Sequence, residues 1–178
     1  WANNYDFPRA ESGDVVKSEF LHQKPSGMTG LVMNTRREPL DDIRVREALI
    51  QAFNFEFVND TITGGRQPRI TSYFSNSVLG MEHGEAKGRV AELLSEHAAA
   101  LPEGALEGYS LPVADGTSRN RGNVRKAAAL LADAGFTVED GVLKNEEGEP
   151  LELNIVLRQG DTETQTVVDI YKEALDRL

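Results

Sequence analysis

Cysteine is absent from these 178 residues, which removes disulfides, thiolate nucleophiles and cysteine zinc sites while leaving the compartment open. Histidine is scarce. His22, His83 and His97 fall at no metal-ligand spacing such as His-x-x-x-His, and each reads as a surface or structural side chain. No serine sits in a Gly-x-Ser-x-Gly elbow, and Gly64 with Gly65 is not followed by the Gly-Lys-Ser/Thr of a phosphate loop. Neither a leader peptide nor an apolar run long enough to cross a bilayer is visible. In an excised piece of a longer protein the leader lies upstream, so this does not argue for the cytoplasm. Positive charge is the minority sign, with 19 basic residues against 29 acidic ones and a net charge of -10. Such a surface repels nucleic acid and anionic lipid at long range.

What is present is 39% hydrophobic and 27% charged, which excludes disorder and suits one globular domain spanning residues 1–178. The chain is organised around residues 29–65. Residues 29–34 form a short apolar run behind Pro25 and Gly27, of strand length rather than helix length. Pro39 then turns the chain, and Asp41 or Asp42 caps a helix starting near Ile43, whose stripe is Val45, Leu49, Ala52 and Phe53. Asn54 caps a second helix that Gly64 and Gly65 end.

Elsewhere the reading is coarser. Residues 15–21 look like a strand, and residues 65–85 show no period. Residues 86–100 read as a helix with Val90, Leu93, Leu94 and His97 inward, stopped at Pro102. Asn120 or Asn123 caps another helix, with Val124, Ala127, Leu131 and Ala134 buried and Gly135–Phe136 as its terminus. Residues 142–144 and 151–157 look like a hairpin around the turn at 145–150, Leu151, Leu153, Ile155 and Leu157 alternating. A last helix follows Gly160 and Asp161, with Val167, Ile170 or Tyr171, Ala174 and Leu178 on its apolar face. There is no internal repeat.

The paired carboxylates Asp41–Asp42 and Glu146–Glu147 fit helix capping and a solvated hairpin tip better than acid-base catalysis. The arginines at 36, 37, 44 and 46 suggest pairing with Asp41, Asp42 and Glu47 rather than an anion site. Binding is the remaining chemistry, and ligands of open α/β sheets sit beyond strand carboxyl ends. Two such ends are identifiable, Asn34–Thr35 and Arg158–Gln159–Gly160.

The order of a strand ending in Asn34–Thr35, Pro39, an acidic cap, Ile43-Arg-Val-Arg-Glu-Ala-Leu49 and an aromatic helix resembles family 5 of the extracellular solute-binding proteins. These serve oligopeptide ABC importers. Trp1, Tyr5-Asp6-Phe7-Pro8, Pro25-Ser26-Gly27-Met28, Ser72 to Ser77, Asp115-Gly116 and Asn120-Arg121 reinforce the likeness to its YejA-like subgroup, and the Lys126 to Phe136 segment is similar to a second family signature. The resemblance implies an α/β fold of the type II periplasmic-binding-protein lobe, a mixed sheet flanked by helices. It implies a fragment of the second lobe of a longer two-lobed protein, non-catalytic and cofactor-free, periplasmic or extracellular and membrane-associated in the parent. Its partners are then an oligopeptide ligand, an inner-membrane ABC permease and the missing first lobe, with no nucleic acid. It also places Val32 and Asn34, and Arg158, Gln159 and Glu163, along a ligand cleft. Asn34 as a turn closer and Arg158 as a solvent charge remain open alternatives. The family's acidic anchor for a peptide amino terminus lies beyond residue 178, and no residue here takes that role. A hydrolase using paired carboxylates and a stand-alone interaction module are the competing expectations.

Overall fold

The computed structural model describes residues 6–18, 20–102 and 104–178. Contacts divide the chain into two units, one drawn from Trp1–Met28 with Ser72–Met81 and the other from Thr29–Thr71 with Glu82–Leu178.

Among the described residues of the first unit the one helix is the single turn α1, Pro8–Glu11. Residues 20–28 are irregular, and Asn76, at φ 66°, donates from its amide nitrogen to the carbonyls of His22 and Lys24, each at 3.0 Å. The strand expected over 15–21 is not formed among its described residues, Glu19 lying outside them. Val16, Phe20 and Leu21 are exposed, so no sheet face shelters them.

The second unit carries the helices. α2, Ile43–Ala52, begins where its cap places it, because Asp42 accepts the Arg44 N–H at 2.7 Å. α3, Phe55–Thr63, is capped by Asn54, which accepts the Phe57 N–H at 3.2 Å, and ends on Gly64 at φ 64°. α5, Arg121–Asp133, ends on Gly135, where Phe136 N–H bonds back to Leu131 at 2.9 Å and Gly135 N–H to Ala132 at 3.0 Å. That double bond leaves Phe136 folded onto the core. α6, Thr162–Leu175, is capped by Asp161 through the Thr164 N–H at 3.1 Å.

The core forms where α2 lies against α5 and meets α6. Ala48, Ala52 and Ala127 are fully buried, and their small side chains let the helices approach closely while Val45, Leu49 and Leu131 fill the seam. Tyr171 of α6 closes it. Its ring meets Phe53 edge-on at 5.3 Å, and its hydroxyl donates to the Leu49 carbonyl at 2.8 Å, the pair of contacts a buried tyrosine needs.

Among the helices, four expectations need correction. α4 spans Gly88–Ser95, followed by a 3-10 turn at Ala98–Ala100, and it buries nothing: Val90, Leu93 and His97 face outward. Its stripe is amphipathic, yet Val90 and Leu93 stay exposed. On α5 Asn123 is buried in place of Val124, and on α6 Val168 in place of Val167. Neither Asn120 nor Asn123 caps α5 with its side chain.

The largest correction concerns the sheet. Among the described residues it has two strands, β1 at Thr137–Glu139 and β2 at Val142–Lys144, antiparallel with Val138 opposite Leu143. Asp140 and Gly141, at φ 52° and 76°, form the two-residue turn that an Asp-Gly pair favours. β2 therefore pairs backward, not with 151–157. The expected turn does reverse the chain, and Leu151 N–H reaches the Leu143 carbonyl at 2.8 Å, yet the ladder stops after the Lys144–Pro150 bridge. Residues 29–34 and 152–157 belong to no strand and join no ladder among the described residues, so neither Val32 nor Ile155 sits in a sheet. A strand needs a neighbour's backbone, and no described residue offers one here.

Candidate functional site

The two expected chain ends have different local chemistry. At the first, Val32 is 98% exposed while Met33 packs on the core, so the segment keeps a two-sided pattern without a ladder. Asn34 then closes a turn: its Oδ1 accepts the Arg36 backbone N–H at 3.3 Å and the Arg36 Nε–H at 3.4 Å, and its carbonyl accepts the Arg37 N–H at 3.1 Å. Its Nδ2 donates to nothing among the described residues, which leaves two donors facing solvent.

At the second end Arg158 and Gln159 are exposed, and the Arg158 carbonyl accepts the Asp161 N–H at 3.3 Å. The Asp161 carboxylate caps α6, and the Thr164 backbone N–H, then the Thr164 side chain, then the charge of Arg158, hold its pKa below the ordinary value. The positive end of α6 is thus taken by the chain's own carboxylate, not open to a ligand anion. Glu163 is exposed in the first helical turn. Asn34 shares no hydrogen bond with Arg158, Gln159 or Glu163 among the described residues. What relates the two ends is the core cluster on which Met33 and Ile155 both pack.

The two acidic pairs sit at a helix start and at a turn. Asp42 is the α2 cap and is gripped by the Arg44 guanidinium, whose hydrogen bond holds its carboxyl below the ordinary value. Asp115 is likewise lowered, by Thr117. The carboxylates that shift all move away from the raised value a general acid needs. Glu146 and Glu147 are exposed at the turn after β2. Arg46 donates to the carbonyls of Leu40 and Asp41 at 2.8 and 2.7 Å instead of to a carboxylate, and Arg44 also reaches the Asp133 carbonyl. No cluster of three potential metal ligands occurs among the described residues.

A better-built feature was not legible in the sequence, the loop at 112–117. Asn54 Nδ2 donates to Thr117 O at 2.7 Å, Asn123 Nδ2 to Val113 O at 3.0 Å, and Glu56 Oε2 accepts the Ala114 N–H at 2.9 Å. Arg69 donates to Pro112 O while its guanidinium lies 5.4 Å from the centre of the Phe55 ring, and burial lowers its pKa. Asn120, in the left-handed region at φ 40°, reaches Gln51 O at 3.4 Å. The asparagines stood out as caps, and capping was the wrong reason for two of them. Their spacing carries no mark of the carbonyls they hold, which come from distant residues.

Residues 3–178 match the model of the bacterial extracellular solute-binding proteins, family 5 Middle. The chain belongs to this solute-binding family. It is 38% identical over 157 residues to "Peptidoglycan-binding protein YepA" of Agrobacterium fabrum, covering 88% of this chain and 26% of that protein. It is 34% identical over 161 residues to "Probable peptide-binding protein YejA" of the same strain, covering 88% and 26%. YejA of Escherichia coli K12 is 28% identical over 180 residues, covering all of this chain and 29% of its own length. This family 5 chain therefore spans about a quarter of the length of the relatives it matches. Among solved structures, the periplasmic EDTA-binding protein EppA superposes with a TM-score of 0.48 at 17% identity, covering 81% of this chain and 22% of that one.

Proposed function

We propose that this chain is part of the second lobe of a two-lobed periplasmic protein that captures oligopeptides, without catalysis, and delivers them to an inner-membrane ABC permease. The observation that carries this reading is the family match over residues 3–178. The names of two relatives, one peptide-binding and one peptidoglycan-binding, support a ligand with a peptide backbone. Val32, Asn34, Arg158, Gln159 and Glu163 are the ligand contacts proposed on this lobe. The free Nδ2 donors of Asn34 suit peptide carbonyls, and the exposed Arg158 suits a carboxylate.

A clamp of two lobes desolvates its ligand from both sides, and half the contacts leave an affinity lower by several kcal/mol, or orders of magnitude in Kd. Calorimetry with a mixed oligopeptide library and with peptidoglycan stem peptides tests the reading on the full-length protein and on residues 1–178. Binding by the former, with little or none by the latter and no cleavage by either, is expected. Tight binding by residues 1–178 refutes the half-cleft argument, and cleavage of the library favours a hydrolase.

A further inference from the structure

Resting on the reading that this chain belongs to a protein that binds peptides, we infer that Arg69, set between the Phe55 ring and the loop at Pro112, is a binding site for a carboxylate of the ligand. The first observation is that its guanidinium is held at two points. Nη1 donates to the Pro112 carbonyl, and the central carbon lies 5.4 Å from the centre of the Phe55 ring. An arginine gripped by a carbonyl and an aromatic face has little freedom left to lose on meeting a ligand.

The second observation is a charge without a counter-charge. Arg69 is half-buried, and of the several N–H donors that a guanidinium carries, Pro112 takes one. Among the described residues the other donors have no hydrogen-bond partner, and Arg69 enters none of the ion pairs. The Glu56 carboxylate acts on it through space alone, and its Oε2 is spent on the Ala114 N–H at 2.9 Å. Burial lowers the Arg69 pKa, and the charges of Glu56 and Tyr109 offset only part of that. Arg44 shifts the other way, because Asp42 hydrogen-bonds it. A net lowering means that the folded protein stabilises the Arg69 cation less than water does, a deficit that a bonded anion removes.

The occupant follows from that deficit. A planar fork of N–H donors matches the two oxygens of a carboxylate, which brings one negative charge to one positive charge. Phosphate brings more than one, and both Glu56 and the chain's net charge of -10 repel the surplus. The surroundings suit a peptide. Tyr109, 49% exposed, is near enough for its charge to act on Arg69, and Val113, 76% exposed, follows Pro112. A half-exposed tyrosine offers both a ring face and a hydroxyl. A peptide carries carboxylates at its C-terminus and on acidic side chains. Arg158 is exposed, where water screens an ion pair, whereas partial burial strengthens one at Arg69.

Calorimetry on the native full-length protein tests this with alanyl-glutamyl-alanine, its C-terminal amide and alanyl-glutaminyl-alanine. Removing the carboxylate that Arg69 holds is expected to weaken binding about tenfold or more, as loss of a hydrogen-bonded charge does. In Arg69→Gln, which keeps a donor for Pro112 without the charge, the same removal is expected to change nothing. The peptide that shows the effect tells the C-terminus from the side chain. Equal binding of all three by the native protein overturns the inference, and so does discrimination that persists in Arg69→Gln. Discrimination lost in Arg158→Gln instead gives the carboxylate to Arg158. Phenylglyoxal labelling of the native protein, read at Arg69 by mass spectrometry, needs neither a variant nor tight binding. N-acetylalanine is expected to slow that reaction and N-acetylalaninamide to leave it unchanged. Equal rates with both, or slowing by inorganic phosphate alone, overturn the inference. Slowing by N-acetylalanine in a protein that binds none of the peptides sinks the functional reading and leaves this site standing.

Discussion

The α2–α5–α6 core and the extended segments 29–34 and 151–157 face the same cluster of apolar side chains, yet one is regular and the other is not. A helix satisfies its backbone within its own residues, so a cap, a stripe and a stop suffice to define it. A strand's backbone bonds are made by another segment. Both regions carry the correct local pattern, and only the region with self-sufficient hydrogen bonding becomes an element.

The comparison breaks most visibly at Leu49. Leu49→Asp puts an unpaired charge in a position 4% exposed, and a loss of about 4 kcal/mol or more, enough to unfold the chain, is expected in a thermal melt. An unchanged melt would remove the core from the comparison altogether. Leu131→Ala, at 1% exposure on the facing helix, is expected to cost about 3 kcal/mol in denaturant titration. Tyr171→Phe keeps the ring against Phe53 but orphans the Leu49 carbonyl, for about 1–2 kcal/mol, and a midpoint equal to that of the native protein would mean that water replaces the hydroxyl.

Asp42 sharpens the helical side by pH. Its folded-state pKa lies below 3.8 because Arg44 bonds its carboxylate, so its contribution is complete above the unfolded-state value and is lost as pH falls through the lower folded value. Asp42→Asn keeps a cap and removes the charge, and is expected to flatten the stability slope below about pH 4. An identical slope in both proteins would place the acid sensitivity elsewhere. The smallest effect belongs to the extended side: Val156→Lys in residues 1–178 alone is expected to change stability by no more than about 0.5 kcal/mol, as surface substitutions do. A large loss there would show that the segment is already covered.

What could be read in advance follows the same division. The starts of α2, α3 and α6 are each announced by an acidic or amide cap, and Gly64 and Gly135 announce two stops, because these signals act within a few residues. Pairing was misread at β2 because the alternation of 151–157 is indifferent to which neighbour completes it, while the nearer Asp140–Gly141 turn decides the matter. α4 shows the opposite failure, a stripe of which Val90 and Leu93 stay exposed. At the candidate site, Asn34 and Arg158 could be picked out as segment ends, but the turn made by Arg36 and the capture of the α6 terminus by Asp161 depend on side-chain directions that composition does not fix.

The hold on residues 112–117 has a consequence for how freely that loop can vary. Asn54, Asn123 and Arg69 grip carbonyl oxygens, and Glu56 grips an amide, so these four handles on the loop are ones that almost any residue carries. Apart from the turn that Asp115 makes with Thr117, its path is specified by the side chains of α3, α5 and Arg69. The side chains of Val113, 76% exposed, and Ala114 can therefore be exchanged for others while the backbone keeps its course, which makes the loop a fixed frame with replaceable contents. Proline at 114 is the exception, since it would remove the amide that Glu56 holds.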